Sequence, residues 1–327
     1  MDTRPLGTTG TDVTEVGLGT WEIGGDWGDV AERRAREAIR AALDSGITFL
    51  DTADVYGDGR SERLIREVVA DRDEEPFVAT KAGRRLDPHL ADGYTEANLR
   101  GFVDDSRERL GVETLDLVQL HCPPTDVYYQ PETFEALETL RDEDRIDHYG
   151  VSVERVEEAL KAVEYPGVET VQIIFNPFRQ RPRETFFREA AARNVGVVVR
   201  VPLASGLLTG GLSADTEFPE NDHRNFNRDG DAFDVGETFA GVPYEDGLEA
   251  VDAVEPLVPD GMSMAQFTLR WILDHDAVST VIPGSSSPEH VRDNVAAAAL
   301  PRLPADRHAA VRDVYDEFVR GHVHQRW

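Results

Sequence analysis

Ile47-Thr-Phe-Leu-Asp-Thr-Ala-Asp-Val-Tyr56 is an apolar run that reaches Asp51 and then breaks into polar residues presenting Tyr56, with Gly57 following. It reads as a short buried strand whose C-terminal end carries a carboxylate, with a tyrosine on the loop beyond. Two further runs repeat the plan. Phe77-Val-Ala-Thr80 ends in Lys81, and Leu115-Asp-Leu-Val-Gln-Leu120 ends in His121. Three strands thus deliver Asp, Lys and His at their C-terminal ends, and in a parallel α/β barrel those ends meet at one mouth.

Outward from this stretch, strand and helix patterns alternate along the chain. Helical spacing is read over about 31–45, 61–70, 95–110, 131–141, 154–163, 183–193, 262–275 and 288–299. Strands are read at 16–19, 47–51, 77–80, 115–120, 146–151, 170–174, 197–201 and 278–282. Eight strands alternating with helices predict a (β/α)8 TIM barrel forming one domain over 1–327. The first β-α turn, GLGTWEIGGDWG, opens no immediate helix and makes a poor dinucleotide fingerprint for an open doubly wound sheet. Residues 3–20 alternate turn glycines with β-prone runs, as a hairpin does. Residues 213–247, rich in Asp, Glu, Asn and Gly and carrying Phe218, Phe226, Phe233, Phe239 and Tyr244, are a long acidic loop of the kind that serves as a lid. Residues from Ala305 read as a final helix to about Phe318 and a tail ending in Trp327.

Of 34 Lys+Arg residues, only Lys81 and Lys161 are lysines. A lysine at a strand end in so arginine-rich a chain points to a position where a compact ammonium is required, since the guanidinium fork does not replace it. The four residues in their contexts, FLDTADVYGDGRSE, ATKAG and LVQLHCPP, resemble the catalytic tetrad of the aldo-keto reductase superfamily. The resemblance runs essentially end to end. It implies a barrel whose bottom is plugged by the N-terminal hairpin, with a C-terminal helix and tail. It also implies an NAD(P)H-dependent oxidoreductase of the alcohol or aldose dehydrogenase type, interconverting an aldehyde, ketone or sugar and its alcohol.

On that resemblance Tyr56 is the proton donor and acceptor, Lys81 lowers the phenol pKa, Asp51 holds Lys81, and His121 orients the carbonyl. A cation beside a phenol does favour the phenolate. The resemblance further assigns cofactor contacts to Gly19, Thr20, Trp21 and Asp51, and to Ser152 and Gln172 as an amide clamp. Val153 stands where the family has Asn. Arg200, Val201, Pro202, Leu203, Ser205, Gly206 and Leu207 form the diphosphate loop, with Arg200 in place of a ring-stacking tyrosine. Ile282, Gly284, Ser285, Ser286, Ser287, His290 and Asn294 grip the adenosine phosphate, with Ser286 where an arginine commonly meets a 2′-phosphate. NADP is therefore the expected cofactor, and NAD is possible. Trp21, Trp27, Tyr56 and His121 are the expected substrate contacts, with Phe178 and Trp327 as further candidate walls. A cofactor-binding sensor or regulatory subunit of the same fold is the alternative.

Composition bounds the rest. The net charge of −29, from 63 acidic against 34 basic residues, argues against nucleic acid or an anionic membrane as partner. Acidic residues spread along nearly every helix and loop with almost no lysine suit a protein soluble in high salt, like the cytosolic proteins of salt-loving archaea. No apolar run reaches membrane-spanning length, and the N-terminus lacks a secretory layout. Cys122 is the only cysteine, which excludes an internal disulfide and a multi-cysteine metal site. A cytoplasmic location, no metal, a small-molecule partner and an open question of oligomerisation follow.

Overall fold

The computed structural model describes every residue except Glu74. A two-stranded antiparallel hairpin, β1 (Thr3–Pro5) and β2 (Asp12–Thr14), precedes eight parallel strands. These are β3 (Leu18–Gly19), β4 (Phe49–Asp51), β5 (Phe77–Ala82), β6 (Leu115–His121), β7 (Ile146–Ser152), β8 (Thr170–Ile174), β9 (Gly196–Arg200) and β10 (Val278–Val281), neighbours in chain order. The sheet curls until its edges approach. Parallel bridges Val16↔Val281 and Gly19↔Gly284 join the first strand region to the last. Backbone hydrogen bonds from Gly17 to Val281 and from Gly19 to Pro283 reinforce them.

Helices fill the crossovers. They are α1 (Trp21–Gly24), α2 (Glu32–Asp44), α3 (Arg60–Val69), α4 (Glu96–Leu110), α5 (Pro131–Asp142), α6 (Val156–Ala162), α7 (Phe186–Arg193), α8 (His223–Phe226), α9 (Tyr244–Val254), α10 (Met264–Leu273), α11 (Pro288–Ala296), α12 (Ala305–Val314) and α13 (Arg320–Val323). Sequence explains their ends. Thr95 caps α4 by accepting from Asn98 N, and Gly111 ends it in the left-handed region at φ 75°. Ser263 and Gln266 form a reciprocal capping box on α10.

Strand alternation places the chemistry. Leu6, Val13, Phe49, Ala79, Leu117, Val198 and Ile282 form one small buried cluster, distinct from the larger core shared with the helices. Side chains two residues apart share a face of a strand. Asp51, Lys81, His121 and Arg200 therefore point the same way as Phe49, Ala79, Leu117 and Val198, toward the interior. Leu6 and Val13 come from the hairpin region, which packs against the sheet at the end opposite those charged residues. A Cβ on Gly7 would lie 2.2 Å from Glu169 O and 2.5 Å from Gly196 N, at the starts of β8 and β9. Only glycine lets the backbone approach that closely, and φ 61° there also favours it.

Three stretches differ from the sequence expectation. The turn after β3, read as opening no helix, does open a single short turn of helix, α1 (Trp21–Gly24), which ends at Gly24–Gly25. The acidic loop 213–247 is packed structure: it holds α8, several tight turns and the start of α9, and it buries Asp222, His223, Asn227, Glu237 and Phe239. Helix α9 was not foreseen, although Tyr244, Gly247, Ala250, Val251 and Val254 line up at helical spacing on its buried face. The C-terminal helix runs past Phe318 through a wider π turn, Tyr315–Val319, to Val323. Trp327 ends 3 % exposed.

Candidate active site

Lys81 is 1 % exposed, and its ammonium donates to Asp51 Oδ2 at 2.7 Å, Thr52 O at 2.8 Å and Tyr56 Oη at 3.3 Å. Three acceptors match its three N–H groups. Burial opposes the charge, but Asp51 and Tyr56 more than offset it, and the pKa lies above the ordinary lysine value. The other oxygen of Asp51 accepts from Gln172 Nε2 at 2.7 Å, so the carboxylate is bonded on both sides. Thr20 Oγ1 donates to Asp51 O at 2.8 Å and accepts from Ser61 Oγ at 2.6 Å, tying β4 to the loop after β3.

The phenol of Tyr56 departs from expectation. Burial pushes its pKa up to about 12, Lys81 pulls it down, and Asp51 and Glu237 push it up again. The reason is local: the ammonium already neutralises Asp51, so the buried phenol meets an ion pair in place of a free cation. Tyr56 is thereby held protonated, as a proton donor must be. His121 is fully buried, and burial together with Arg84 and Lys81 drives it well below the ordinary histidine range, so the ring is neutral. Its Nε2 lies 3.3 Å from Arg84 Nη1. A guanidinium can only donate, which makes Nε2 the acceptor in this pair and puts the ring proton on Nδ1.

Arg84 belongs to a charged group that the sequence did not announce. Glu237, 3 % exposed, accepts from Arg84 Nη2 at 2.8 Å and lies 3.4 Å from Arg200 Nη1. Arg200 also donates to Val153 O at 2.9 Å and Cys122 Sγ at 3.4 Å. Burial pushes the Glu237 carboxyl up, but the two arginines dominate and hold it at about 2. Burial, Glu237 and Asp234 raise neighbouring Glu154 to about 7. The ligating atoms of Cys122, Glu154 and Glu237 come within 4.8 Å of one another. They do not suit a metal ion, because two guanidiniums occupy Glu237 and burial keeps the thiol at about 12, far from the thiolate a metal needs. Arg84 directly follows the KAG motif, which was the available signal. Glu237 is one acid among many in its segment and carried none.

A cavity of about 540 Å³ opens from these residues. Tyr56 and His121 line it with Trp21 and Trp27, whose rings meet edge to face at 5.8 Å. Of the nineteen further residues assigned to it by resemblance, Gly19, Asp51, Ser152, Gln172, Arg200, Val201, Pro202, Leu203, Ser205, Gly206, Ile282, Gly284, Ser285, His290 and Asn294 line its wall, with Trp21 common to both sets. Thr20, Leu207, Ser286 and Ser287 stand behind the wall. Leu207 is buried in the core, Ser286 Oγ donates to Glu22 at 2.6 Å, and Ser287 N donates to Ser285 Oγ at the start of α11. Phe178 is buried away from the cavity, and Trp327 instead donates through Nε1 to Asp234 Oδ1 at 2.9 Å. Trp327 thus pins the segment that carries Glu237. Residues the sequence reading missed along the wall include Glu22, Thr209, Arg224, Glu237, Ser263 and Asp293.

Backbone strain concentrates here. Val201, Ala204 and Ser205 all take positive φ, at 49°, 48° and 52°, with Gly206 at 100°. A β-branched residue in that region costs energy and persists only where its surroundings enforce it, which marks functional loops.

The aldo/keto reductase family model matches residues 15–316. The uncharacterized oxidoreductase YqkF of Bacillus subtilis is 31 % identical over 95 % of this chain and 96 % of its own. The NADH-specific methylglyoxal reductase of Escherichia coli is 27 % identical over 94 % and 96 %. Among solved structures, a glycerol dehydrogenase from Gluconobacter oxydans matches with TM-score 0.79 and 30 % identity, covering 97 % of this chain and 96 % of that one. The holo form of an aldo-keto reductase from Bacillus halodurans matches with TM-score 0.77 and 27 % identity over 96 % of both.

Proposed function

This chain belongs to the aldo/keto reductase family, and from that premise we propose an NAD(P)H-dependent oxidoreductase that interconverts a small carbonyl compound and its alcohol, with Tyr56 as the proton-transferring group. The observation that carries this reading is the buried chain Gln172–Asp51–Lys81–Tyr56, each link a hydrogen bond of 2.7–3.3 Å and its last member facing the cavity. The eight strands are read as a closed (β/α)8 barrel in a single domain, with the hairpin as its floor.

The cavity wall suits a dinucleotide. In the turn at 204–206 Ala204 N and Gly206 N donate to Val201 O and Leu203 O, which leaves the Ser205 N–H without an acceptor among the described residues. Helix α11 begins at the opposite wall, and buried Asn294 faces the space without a side-chain partner among the described residues. Ser152, Gln172, Arg200 and the 201–206 turn would hold one half of the cofactor, and Gly284, Ser285, His290 and Asn294 the other. When bound, the cofactor supplies or takes the hydride.

The protein's own part is proton management. Tyr56, kept protonated, donates to the carbonyl oxygen as negative charge develops there. Lys81 stabilises the phenolate left behind, and Asp51 keeps Lys81 in place. His121 is neutral and its Nε2 already accepts from Arg84, so Arg84 supplies positive charge at the same edge of the site. Trp21 and Trp27 wall the substrate space and exclude water. A cofactor-binding regulator without turnover is disfavoured, because a subunit that only binds needs no buried acid of this kind.

NADP(H) is the expected cofactor, with NADH accepted. Ser286, which stands where an arginine commonly meets the 2′-phosphate, donates to Glu22, and Arg292 donates through Nη1 to Pro288 O on its own helix, so no arginine occupies that position. Separate fluorescence titrations in concentrated KCl should give affinities for NADPH and NADH within about tenfold, about 1.4 kcal/mol. Aldehydes, ketones and sugars should then be reduced at the expense of whichever is bound. Binding of neither cofactor contradicts the reading.

The acidic surface carries a second proposal, a cytosol of high salt. No helix among the described residues is long and apolar enough to cross a membrane, and the single cysteine is buried and free. Raising KCl from about 0.1 to about 1 M shortens the screening length from about 10 to about 3 Å, which quenches repulsion among the surplus acids. The thermal unfolding midpoint should rise over that range. A midpoint that is flat or falls counts against the proposal.

A further inference from the structure

We propose that Arg224, carried by the 213–247 segment, binds the diphosphate of the dinucleotide. This rests on the dinucleotide reading above, and it adds a ligand that the sequence resemblance did not supply. Arg224 lines the cavity beside Ser205, Gly206, Thr209 and Leu212. Its Nε and Nη2 donate to the two oxygens of Asp222, at 2.9 and 2.6 Å. Asp222 is 1 % exposed and is itself fixed. The guanidinium lies 4.6 Å from the Trp27 ring and 4.5 Å from the Phe218 ring. Orientation is therefore set by a bidentate carboxylate and two aromatic rings before any ligand arrives.

What remains free is Nη1, which has no acceptor among the described residues. It stands 3.5 Å from the position a Cβ would take on Gly206. The free edge of the fork thus borders the turn where Ala204, Ser205 and Gly206 successively take positive φ. The unengaged Ser205 N–H of this turn and a planar cation with an unused donor edge are complementary to phosphate oxygens.

Charge balance points to the same residue. The arginines lining the cavity are Arg200 and Arg224, against the carboxylates of Glu22, Asp51, Glu237 and Asp293. Arg200 is engaged by Glu237, Val153 O and Cys122. A diphosphate entering a protein of net charge −29 needs a cation; Arg200 keeps only its buried Nε without a partner, whereas Arg224 turns its free Nη1 toward the 204–206 turn.

The test is direct binding to the full chain in concentrated KCl, read by nicotinamide fluorescence, with ADP as a competing probe. Arg224→Gln should raise the Kd for NADH, NADPH and ADP alike, by about 10- to 100-fold, the range of a lost charged hydrogen bond. Arg224→Lys keeps the charge and the stem over Trp27 and should fall between, which guards against a folding defect in the first variant. Arg228→Gln removes a neighbouring charge that does not line the cavity and should leave all three affinities unchanged. Unaltered binding by Arg224→Gln overturns the proposal. So does weakening confined to NADPH, which would assign the residue to the 2′-phosphate. Failure of the unsubstituted protein to bind any of the three overturns the functional reading itself.

Discussion

Tyr56→Phe lowers kcat for carbonyl reduction by about 10³-fold, within the range that a positioned general acid contributes, while cofactor affinity stays within about twofold. The substitution removes one oxygen and its proton from a ring fixed beside Lys81, whose ammonium lies 4.9 Å from the ring centroid. The lost group is the donor to the developing alkoxide, so the effect falls on the chemical step and not on cofactor binding. The pH behaviour follows from the sign of the shift. With its pKa raised to about 12, the phenol stays protonated throughout the neutral range, so reduction shows no loss from Tyr56 as pH rises from about 6 to about 9. Alcohol oxidation needs the phenolate and increases over the same interval. Steady-state kinetics in both directions check this. A variant retaining more than about a tenth of the activity would remove Tyr56 from the chemistry.

Glu237→Gln destabilises the folded protein by about 3 kcal/mol, because it leaves the buried Arg200 and the partly buried Arg84 facing each other without their shared counter-charge. The linkage argument gives the same size. The carboxyl lies at about 2 in the fold against an ordinary 4.5, and each pKa unit corresponds to about 1.4 kcal/mol, hence about 3 kcal/mol. A depressed carboxyl stabilises above its unfolded pKa and loses that contribution as pH falls through the folded one. The difference between the parent and Glu237→Gln should therefore be full above about pH 5 and vanish toward pH 2. Urea unfolding in concentrated KCl at several pH values measures it. A difference below about 0.5 kcal/mol at pH 7 would mean that the two arginines are neutralised in some other way. Loss of Trp327 should act in the same direction but more weakly, since its indole holds Asp234, three residues from Glu237.

The contrast between Tyr56 and Glu237 shows what a single sequence discloses. Asp51, Lys81 and His121 were legible because each ends a short apolar run, and strand periodicity sends residues two apart to one interior. Their meeting follows from parity and parallel order alone. The turn after β9 was legible as a motif, although its strain at Val201 was not. Glu237 and Arg224 reach the site from a segment with no periodic signal, where an acid or an arginine looks like every other solvated charge. Their roles depend on tertiary placement by His223, Ser205 and Trp327. Helix α9 was hidden by the same acidic composition, despite an apolar face at the right spacing. The Tyr56 pKa was hidden differently: Lys81 does stand beside the phenol and pull it down, but the cost of burial and the compensating charge of Asp51 are properties of the assembled site.

The most direct measurement is a single turnover with NADPH deuterated at C4 of the nicotinamide, mixed with excess methylglyoxal or glyceraldehyde and read by mass spectrometry. Deuterium on the carbinol carbon of the product, delivered by the unsubstituted protein and lost in Tyr56→Phe, is the result this account predicts. Cofactor that stays bound and reduced across a broad carbonyl panel, with no label in any alcohol, would contradict it.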